Sequence, residues 1–302
     1  MIEGATPRSL QVGPLTFSAW EMGQGPLALC LHGFPDTART WRLLLPALAQ
    51  AGYRAVAVTA RGYEPSSQPA DADYSTAALA SDVPGLLDAL GADRCHLIGH
   101  DWGASIAYAA AAASPQRVAS LTTLAVPHPA AFAQALTKDI GQLLRSWYMT
   151  YFQLKGRPEQ VLPRDDFAFL ERLWRAWSPG WAIPETDLAA VKQAFRAPGV
   201  LEAALAYYRI AFDRAHPRAA EARRIFSAPI QAPTLGLTGE RDGCISAAVF
   251  QRCMPPELFA GGMRVQVIPG AGHFLQLEQP EAVNEAILAF LAQADKRASP
   301  SP

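Results

Sequence analysis

The segment 99–103, which reads Gly-His-Asp-Trp-Gly, constrains the fold of this chain more than any other stretch. It follows the apolar run 95–98 and precedes the alanine-rich stretch 104–113, a pattern that predicts a buried strand, a sharp turn and a helix. The flanking glycines allow a strained turn and a close approach of the helix to the strand. A turn of this type exposes its central side chain as a nucleophile above a sheet.

The central residue of this segment is Asp101, and a carboxylate nucleophile favours a different reaction from a serine. Attack on an acyl carbon would form an anhydride, which gains little, whereas attack on a saturated carbon forms an ester that water can cleave. We therefore expect a hydrolase of alkylating electrophiles such as epoxides or alkyl halides. Taken alone, Asp101 has a simpler interpretation as the N-cap of the following helix.

The rest of the chain predicts an α/β fold with a mostly parallel sheet. Strands are expected at 15–20, 27–31, 55–59, 95–98, 118–126, 233–238 and 264–269, and helices at 38–51, 75–90, 104–113 and 280–294. The alternation of strands and helices implies parallel strands joined by right-handed crossovers. Residues 129–223 show helical stretches and no convincing strand, so we expect a core at 1–128, an inserted helical cap at 129–223 and a second part of the core at 224–302. The polar tail from 295 is expected to be frayed.

Composition and charge exclude several functions. A chain of 302 residues, 50% of them hydrophobic, suffices for one large α/β domain with an inserted subdomain. The formal net charge of −1 gives no electrostatic case for binding nucleic acid or an anionic membrane. No apolar run approaches the ~20 residues of a membrane span. Neither a phosphate loop nor a dinucleotide fingerprint follows a strand, and no Cys/His spacing suggests zinc, so we expect no cofactor and no metal.

Two features of the chain favour a reducing compartment. The four cysteines are scattered rather than arranged as a disulfide framework. The first residues have neither a basic stretch nor an apolar one, so no signal peptide is evident. We therefore expect a cytoplasmic protein.

Two more segments complete a catalytic set with Asp101. Residues 238–243 follow a predicted strand and contain Asp242, and residues 270–274 follow the last predicted strand and contain His273. The order nucleophile, acid, histidine is that of hydrolases with this turn, and all three residues end parallel strands. A carboxylate is ionised near neutral pH, so His273 would take its proton from water, with Asp242 holding the imidazole.

Glu240 is the alternative acid. Glu278 is expected to point outward.

The segment 32–35, His-Gly-Phe-Pro, follows another predicted strand. The backbone N–H groups of Phe34 and Trp102 are expected to form the oxyanion hole for the ester intermediate. The bond between Phe34 and Pro35 is a candidate for the cis form.

With these motifs the chain resembles the α/β-hydrolase-fold epoxide hydrolases of the soluble bacterial type. The resemblance covers nearly the whole chain, from the segment 32–35 through Arg-Gly-Tyr at 61–63 and the segment 99–103 to Gly-His-Phe at 272–274. It implies the α/β-hydrolase fold and, together with the neighbouring Gly243, favours Asp242 over Glu240 as the acid. Haloalkane dehalogenases carry similar motifs, so these segments do not separate the two families.

The cap distinguishes the two families. In epoxide hydrolases two cap tyrosines hydrogen-bond the opening oxygen, because a phenol keeps its proton at neutral pH. The first lies three residues ahead of a Tyr-Phe-Gln segment, which here implies Tyr148. The second precedes an arginine, which implies Tyr208, with Tyr207 as the alternative register. A dehalogenase often has an Asn next to the oxyanion glycine, where this chain has Phe34.

We therefore predict an epoxide hydrolase that forms a vicinal diol through an ester on Asp101. The expected pocket is apolar and suits a hydrophobic or aryl epoxide as the small-molecule partner. Its lining would include Phe34, Trp102, Phe152 and Phe274. A haloalkane dehalogenase is the first alternative, and a cap-gated binder without turnover is the second. The oligomeric state is left open, with a homodimer as one option.

Overall fold

The computed structural model describes residues 2–298, and its centre is an eight-stranded sheet. The strands are β1 (Thr6–Val12), β2 (Leu15–Met22), β3 (Leu27–Leu31), β4 (Arg54–Val58), β5 (Cys95–His100), β6 (Val118–Leu124), β7 (Thr234–Gly239) and β8 (Met263–Ile268). They lie in the order β1-β2-β4-β3-β5-β6-β7-β8. The pairs β1–β2 and β2–β4 are antiparallel, and the others are parallel. The expected mostly parallel sheet is confirmed.

Fourteen helices surround this sheet within residues 2–298. They are α1 (Leu44–Gln50), α2 (Thr76–Leu90), α3 (Trp102–Ala113), α4 (Pro129–Lys138), α5 (Ile140–Arg145), α6 (Trp147–Tyr151), α7 (Arg157–Val161), α8 (Arg164–Trp177), α9 (Glu185–Phe195), α10 (Val200–Phe212), α11 (Ala219–Ser227), α12 (Ala247–Arg252), α13 (Leu275–Glu278) and α14 (Pro280–Ala298). Short 3₁₀ helices cover Ala38–Leu43, Pro115–Arg117 and Pro256–Leu258. In this part of the chain, no helix has both the length and the apolar character that a membrane span requires.

The sheet carries an apolar core on each face, because successive strand residues point to opposite sides. On β3, Leu29 belongs to the cluster that contains the apolar residues of α2 and α3. The next residue, Cys30, belongs to the opposite cluster, with residues of α1 and α14. In register, Cys30 lies beside Ala57 of β4 and Ile98 of β5. The middle strands are therefore covered on both faces, which explains why they read as continuous apolar runs.

Three elements differ from the sequence-based expectation. Strand β1 was missed because its burial pattern is almost entirely exposed, so it lacks the alternation that marks a half-buried strand. The helix expected at 38–51 begins as a 3₁₀ segment before α1. The prediction of a frayed tail from 295 is wrong as far as 298, because α14 continues to that residue. Asp295 also accepts a hydrogen bond from the hydroxyl of Tyr53 at 2.7 Å. The remainder of that expectation, 299–302, lies outside the described residues.

Eight helices, α4 to α11, lie between β6 and β7. They pack over the loops at the carboxyl end of the sheet. Trp174 donates a hydrogen bond from its indole nitrogen to the carbonyl of Pro35, which follows β3, at 2.8 Å. Tyr207 donates to the carbonyl of Arg61, which follows β4, at 2.8 Å. Helix α11 runs across the expected boundary between the cap, which ends at 223, and the second core segment, which begins at 224. The helical insertion therefore covers the edge of the sheet where α/β folds place their sites.

Candidate active site

Asp101 lies at the turn between β5 and α3 in a strained backbone conformation, with φ 52° and ψ −119°. A non-glycine residue held in such a region costs about 1–3 kcal/mol and persists only where its surroundings enforce it. The surroundings here are two glycines. A Cβ on Gly99 would collide with the backbone of Gly103, and a Cβ on Gly103 would collide with the carbonyl of Leu31. The turn therefore needs both glycines to bring the Asp101 carboxylate beside the end of β3.

The two oxygens of Asp101 have different neighbours. The backbone N–H of Phe34 donates to Oδ1 at 2.7 Å, whereas Oδ2 lies 3.5 Å from Nε2 of His273. A Cβ on Gly33 would collide with Oδ1 and would lie 2.6 Å from the backbone nitrogen of Trp102. The amide of Phe34 therefore binds Oδ1, and the backbone of Gly33 passes close to both this oxygen and the amide of Trp102. The peptide bond between Phe34 and Pro35 is cis, as expected.

His273 and Asp242 form a buried pair at the carboxyl ends of β8 and β7. Nδ1 of His273 lies 3.0 Å from Oδ2 of Asp242. The other oxygen of Asp242 accepts backbone hydrogen bonds from Cys244 and Ile245 at 2.7 and 2.9 Å. Both oxygens of Asp242 are thus engaged, and the Asp242 carboxylate fixes the orientation of the imidazole.

The alternative acid, Glu240, lies elsewhere. Its side chain is exposed, and its carboxylate accepts a hydrogen bond from the backbone N–H of Gly270 at 2.8 Å. The structure therefore brings Asp242, rather than Glu240, to the imidazole.

The charge environment of His273 favours the imidazolium. Burial alone lowers the pKa of His273, but the carboxylates of Asp242 and Asp101 outweigh this effect and raise the pKa to about 10. Nε2 is buried and has no hydrogen-bond partner within residues 2–298, so it faces Asp101 across a gap of 3.5 Å. The geometry leaves this nitrogen free to exchange a proton with a small molecule at Asp101.

The two expected tyrosines come together from α6 and α10. The rings of Tyr148 and Tyr208 are buried, and their centroids lie 5.9 Å apart. The hydroxyl of Tyr148 lies 3.3 Å from Sγ of Cys244. Trp102 lies beside the hydroxyl of Tyr208, yet no hydrogen bond of normal geometry satisfies this hydroxyl within the described chain. Burial is the main cause that raises the pKa of both phenols well above the ordinary value, so both keep their protons.

Aromatic side chains surround these groups. The ring of Phe34 packs edge-on against Phe152 at 5.5 Å and Tyr208 at 5.4 Å. Trp102 packs edge-on against Tyr208 at 5.0 Å. The fourth expected lining residue, Phe274, contacts the His273 ring at 5.3 Å but stacks on Trp174 at 4.0 Å. The first three therefore meet beside the phenols, whereas Phe274 packs against Trp174.

A sequence profile for the alpha/beta hydrolase fold matches residues 26–280. Mouse epoxide hydrolase 4 is 32% identical over 93% of this chain and 76% of its own length. Epoxide hydrolase A of Mycobacterium tuberculosis is 32% identical over 97% of this chain and 99% of its own. The chain belongs to the epoxide hydrolases of the α/β-hydrolase fold. An inhibitor complex of the Bacillus megaterium epoxide hydrolase, 26% identical, matches 94% of this chain and 100% of that one with a TM-score of 0.81.

In this epoxide hydrolase, two residues that contact the site could not be identified from the sequence. The ring of Trp177 lies 5.0 Å from His273 and 4.9 Å from Tyr148. Glu278, expected to point outward, instead accepts hydrogen bonds from the backbone of Gly272 and Phe274 at 2.8 and 3.0 Å. That expectation is wrong because Glu278 ends the short helix α13 and its side chain returns to the loop that carries His273. The contacts of Trp177 join segments that are distant in sequence, so they leave no local pattern.

A cleft of about 520 Å³ lies beside the site of this family member, between α5, α6 and α8. Its lining includes Leu144, Trp147 and Trp177. Because the ring of Trp177 also contacts His273 and Tyr148, this indole stands between the cleft and the buried groups.

One group of potential metal ligands occurs within residues 2–298. Asp242, Cys244 and His273 are buried, and their donor atoms lie within 4.8 Å of one another. A carboxylate and an imidazole of this group already share the 3.0 Å hydrogen bond. A metal ion here would compete with the interaction that orients the imidazole.

Proposed function

We propose that this chain is an epoxide hydrolase that converts an epoxide and water to a vicinal diol through a covalent ester on Asp101. The observation that carries the proposal is that the two oxygens of Asp101 have different neighbours. Oδ1 accepts a hydrogen bond from the amide of Phe34, and Oδ2 faces His273. One oxygen is held where an ester carbonyl would need stabilisation, and the other is free to attack.

In the first step, Oδ2 of Asp101 attacks an oxirane carbon and the carbon–oxygen bond of the ring breaks. The ring oxygen takes a proton from a phenol as its charge develops, with Tyr148 and Tyr208 as the two donors. Burial supports this role because it keeps both phenols protonated. The unpartnered hydroxyl of Tyr208 supports it further, since a bound epoxide would supply the missing acceptor.

In the second step, His273 takes a proton from water, and the hydroxide attacks the ester carbonyl carbon. The bond from this carbon to the alkyl oxygen then breaks, and the diol leaves with the second proton of the water, which restores the Asp101 carboxylate. Charge develops on Oδ1 between the amides of Phe34 and Trp102, and Asp242 stabilises the imidazolium. Alkylation neutralises Asp101, which removes one of the carboxylates that raise the pKa of His273. The pKa of His273 therefore falls at the step in which the imidazole must be neutral to accept a proton from water. The proton taken from water replaces the one that the phenol gave, so the net reaction adds one water.

We propose a hydrophobic or aryl epoxide as the substrate. The rings of Phe34, Phe152 and Trp102 around the phenols support this choice, because they offer apolar contact and only a few polar groups. Residues 129–223 would act as the cap, and 1–128 with 224–302 as the core. The four buried free cysteines support a reducing compartment such as the cytoplasm. Hydrolysis of an alkylating electrophile to a diol would serve detoxification.

Styrene oxide tests this proposal against the alternatives. We expect the purified protein to release phenylethanediol, and the His273→Gln variant to accumulate an adduct heavier by one epoxide. The Asp101→Ala variant is the control and should form no adduct. Bromide release from 1-bromobutane without diol formation would indicate a haloalkane dehalogenase. Binding of styrene oxide with neither diol nor adduct would indicate a binding protein without turnover.

A further inference from the structure

Cys244 contacts both Asp242, which holds the imidazole, and Tyr148, one of the two proposed proton donors. Cys244 is buried two residues after Asp242, and its backbone N–H donates to Oδ1 of Asp242 at 2.7 Å. Its Sγ lies 3.3 Å from the hydroxyl oxygen of Tyr148 on α6. Its carbonyl accepts a hydrogen bond from the side chain of Gln142 on α5 at 2.8 Å. One residue of the core therefore contacts both the carboxylate that holds the imidazole and a phenol of the helical insertion.

The thiol is the hydrogen-bond partner that the described chain provides for the hydroxyl of Tyr148. The ring of Tyr148 is already confined by Trp177 at 4.9 Å and Phe152 at 5.7 Å, so the remaining freedom is the direction of the hydroxyl. Burial raises the pKa of Cys244 well above its ordinary value and keeps the thiol neutral. A neutral thiol is a weak donor and a weak acceptor. It can direct the hydroxyl without retaining its proton.

We propose that Cys244 is a positioning residue that orients the hydroxyl of Tyr148 for ring opening. The inference rests on the proposed function, because it assigns Cys244 to the step in which a phenol gives its proton to the epoxide oxygen. Cys244 itself touches neither the substrate nor the attacking carboxylate in this assignment. The influence of its thiol is therefore confined to formation of the ester on Asp101, whereas its backbone N–H holds Asp242, which serves the hydrolysis of that ester.

Single-turnover kinetics with styrene oxide separate these two steps. Cys244→Ala removes Sγ and keeps both backbone hydrogen bonds, so we expect ester formation to slow by about 3- to 10-fold, the range of one hydrogen bond. The rate of ester hydrolysis should stay within about twofold of the wild type, a change smaller than the loss of one hydrogen bond would cause. Cys244→Ser keeps a polar group at the same position and should restore ester formation. Cys244→Val also removes the polar atom while filling the space, and it is the test variant if Cys244→Ala fails to fold.

A double-mutant cycle distinguishes positioning from packing. In a Tyr148→Phe background, Cys244→Ala should cause no further loss, because the hydroxyl it orients is gone. Losses that add in the double variant, or a slower ester hydrolysis in Cys244→Ala, would overturn the inference and place the effect in the Asp242 loop. A wild-type protein that forms no ester at all would overturn the proposed function and this inference with it.

Discussion

Tyr207 and Tyr208 are neighbours on α10, yet their hydroxyl groups lie in different surroundings. The hydroxyl of Tyr207 donates to the carbonyl of Arg61 at 2.8 Å, and its ring packs on Tyr74 at 5.5 Å. The hydroxyl of Tyr208 is buried without a hydrogen-bond partner among residues 2–298. Tyr207 thus fastens the helical insertion to the loop after β4, whereas Tyr208 keeps a free donor beside Asp101.

This contrast predicts opposite effects for two substitutions of equal size. Tyr208→Phe removes a proton donor, so we expect kcat to fall by about 10- to 100-fold with little change in stability. Tyr207→Phe leaves the buried carbonyl of Arg61 unpaired, so we expect a loss of about 1–3 kcal/mol in the free energy of unfolding and activity close to wild type. Urea unfolding and diol formation measure both. The reverse assignment would require Tyr207→Phe to lose activity and Tyr208→Phe to retain it.

The approach of Gly33 to Asp101 predicts that Gly33→Ala abolishes most activity. The new methyl group would collide with Oδ1 of Asp101 and crowd the amide of Trp102. Loss of an oxyanion-hole donor costs about 10²- to 10³-fold in kcat, so a loss of at least ~100-fold is expected in steady-state assays. Gly141→Ala on the exposed face of α5 is the control and should be fully active. Normal activity in Gly33→Ala would contradict the proposed location of the oxyanion hole.

The assignment of Asp242 rather than Glu240 as the acid predicts different results for a second pair of variants. Asp242→Asn keeps the shape but loses the charge beside the imidazole, so we expect ester hydrolysis to slow by about 100-fold or more. Glu240→Gln should leave the rate unchanged, because this side chain is exposed and contacts the backbone of Gly270. Quantifying the ester by mass spectrometry during turnover measures the step. An ester that accumulates in Glu240→Gln instead would reassign the acid.

The charge environment of His273 predicts a pH-dependent contribution to stability. Burial opposes the charge, but Asp242 and Asp101 raise the pKa from 6.5 to about 10 in the folded protein. The folded state therefore binds this proton more tightly than the unfolded chain does. The stabilisation is fully present below pH 6.5 and is lost as the pH rises toward 10.

Urea unfolding across this pH range, for the wild type and His273→Gln, measures that contribution. We expect the difference in the free energy of unfolding to decrease as the pH rises, by up to about 5 kcal/mol, since the pKa rises from 6.5 to about 10 and each pKa unit corresponds to about 1.4 kcal/mol. The comparison cancels the titration of groups that lie away from His273. A difference that stays constant over the range would contradict the assigned ion pairs.

The sheet and the positions of Asp101, Asp242 and His273 could be anticipated because their signals are local. Asp101 directly follows β5, and Asp242 and His273 lie three and five residues after the ends of β7 and β8. Parallel strands bring their carboxyl ends to one edge. The exposed edge strand β1 lacks such a signal, since pairing with β2 rather than burial holds it in the sheet. Local patterns therefore report strands that are buried on both faces more faithfully than strands at an edge.

The neighbours of the phenols could not be anticipated in the same way. Cys244 and Tyr148 are 96 residues apart in sequence and meet only when the helical insertion packs on the core. The register of Tyr207 and Tyr208 also depends on which face of α10 turns toward Asp101, and both faces of this helix are apolar. Such contacts are set by tertiary packing rather than by local propensity or spacing.

A single turnover in H₂¹⁸O, followed by peptide mass spectrometry, tests the covalent ester on Asp101 most directly. Because water attacks the ester carbonyl carbon, the account predicts one ¹⁸O atom in the Asp101 carboxylate and unlabelled oxygen in the first diol released. Label found in the diol, with none in Asp101, would mean that water attacks the epoxide itself and would contradict the account.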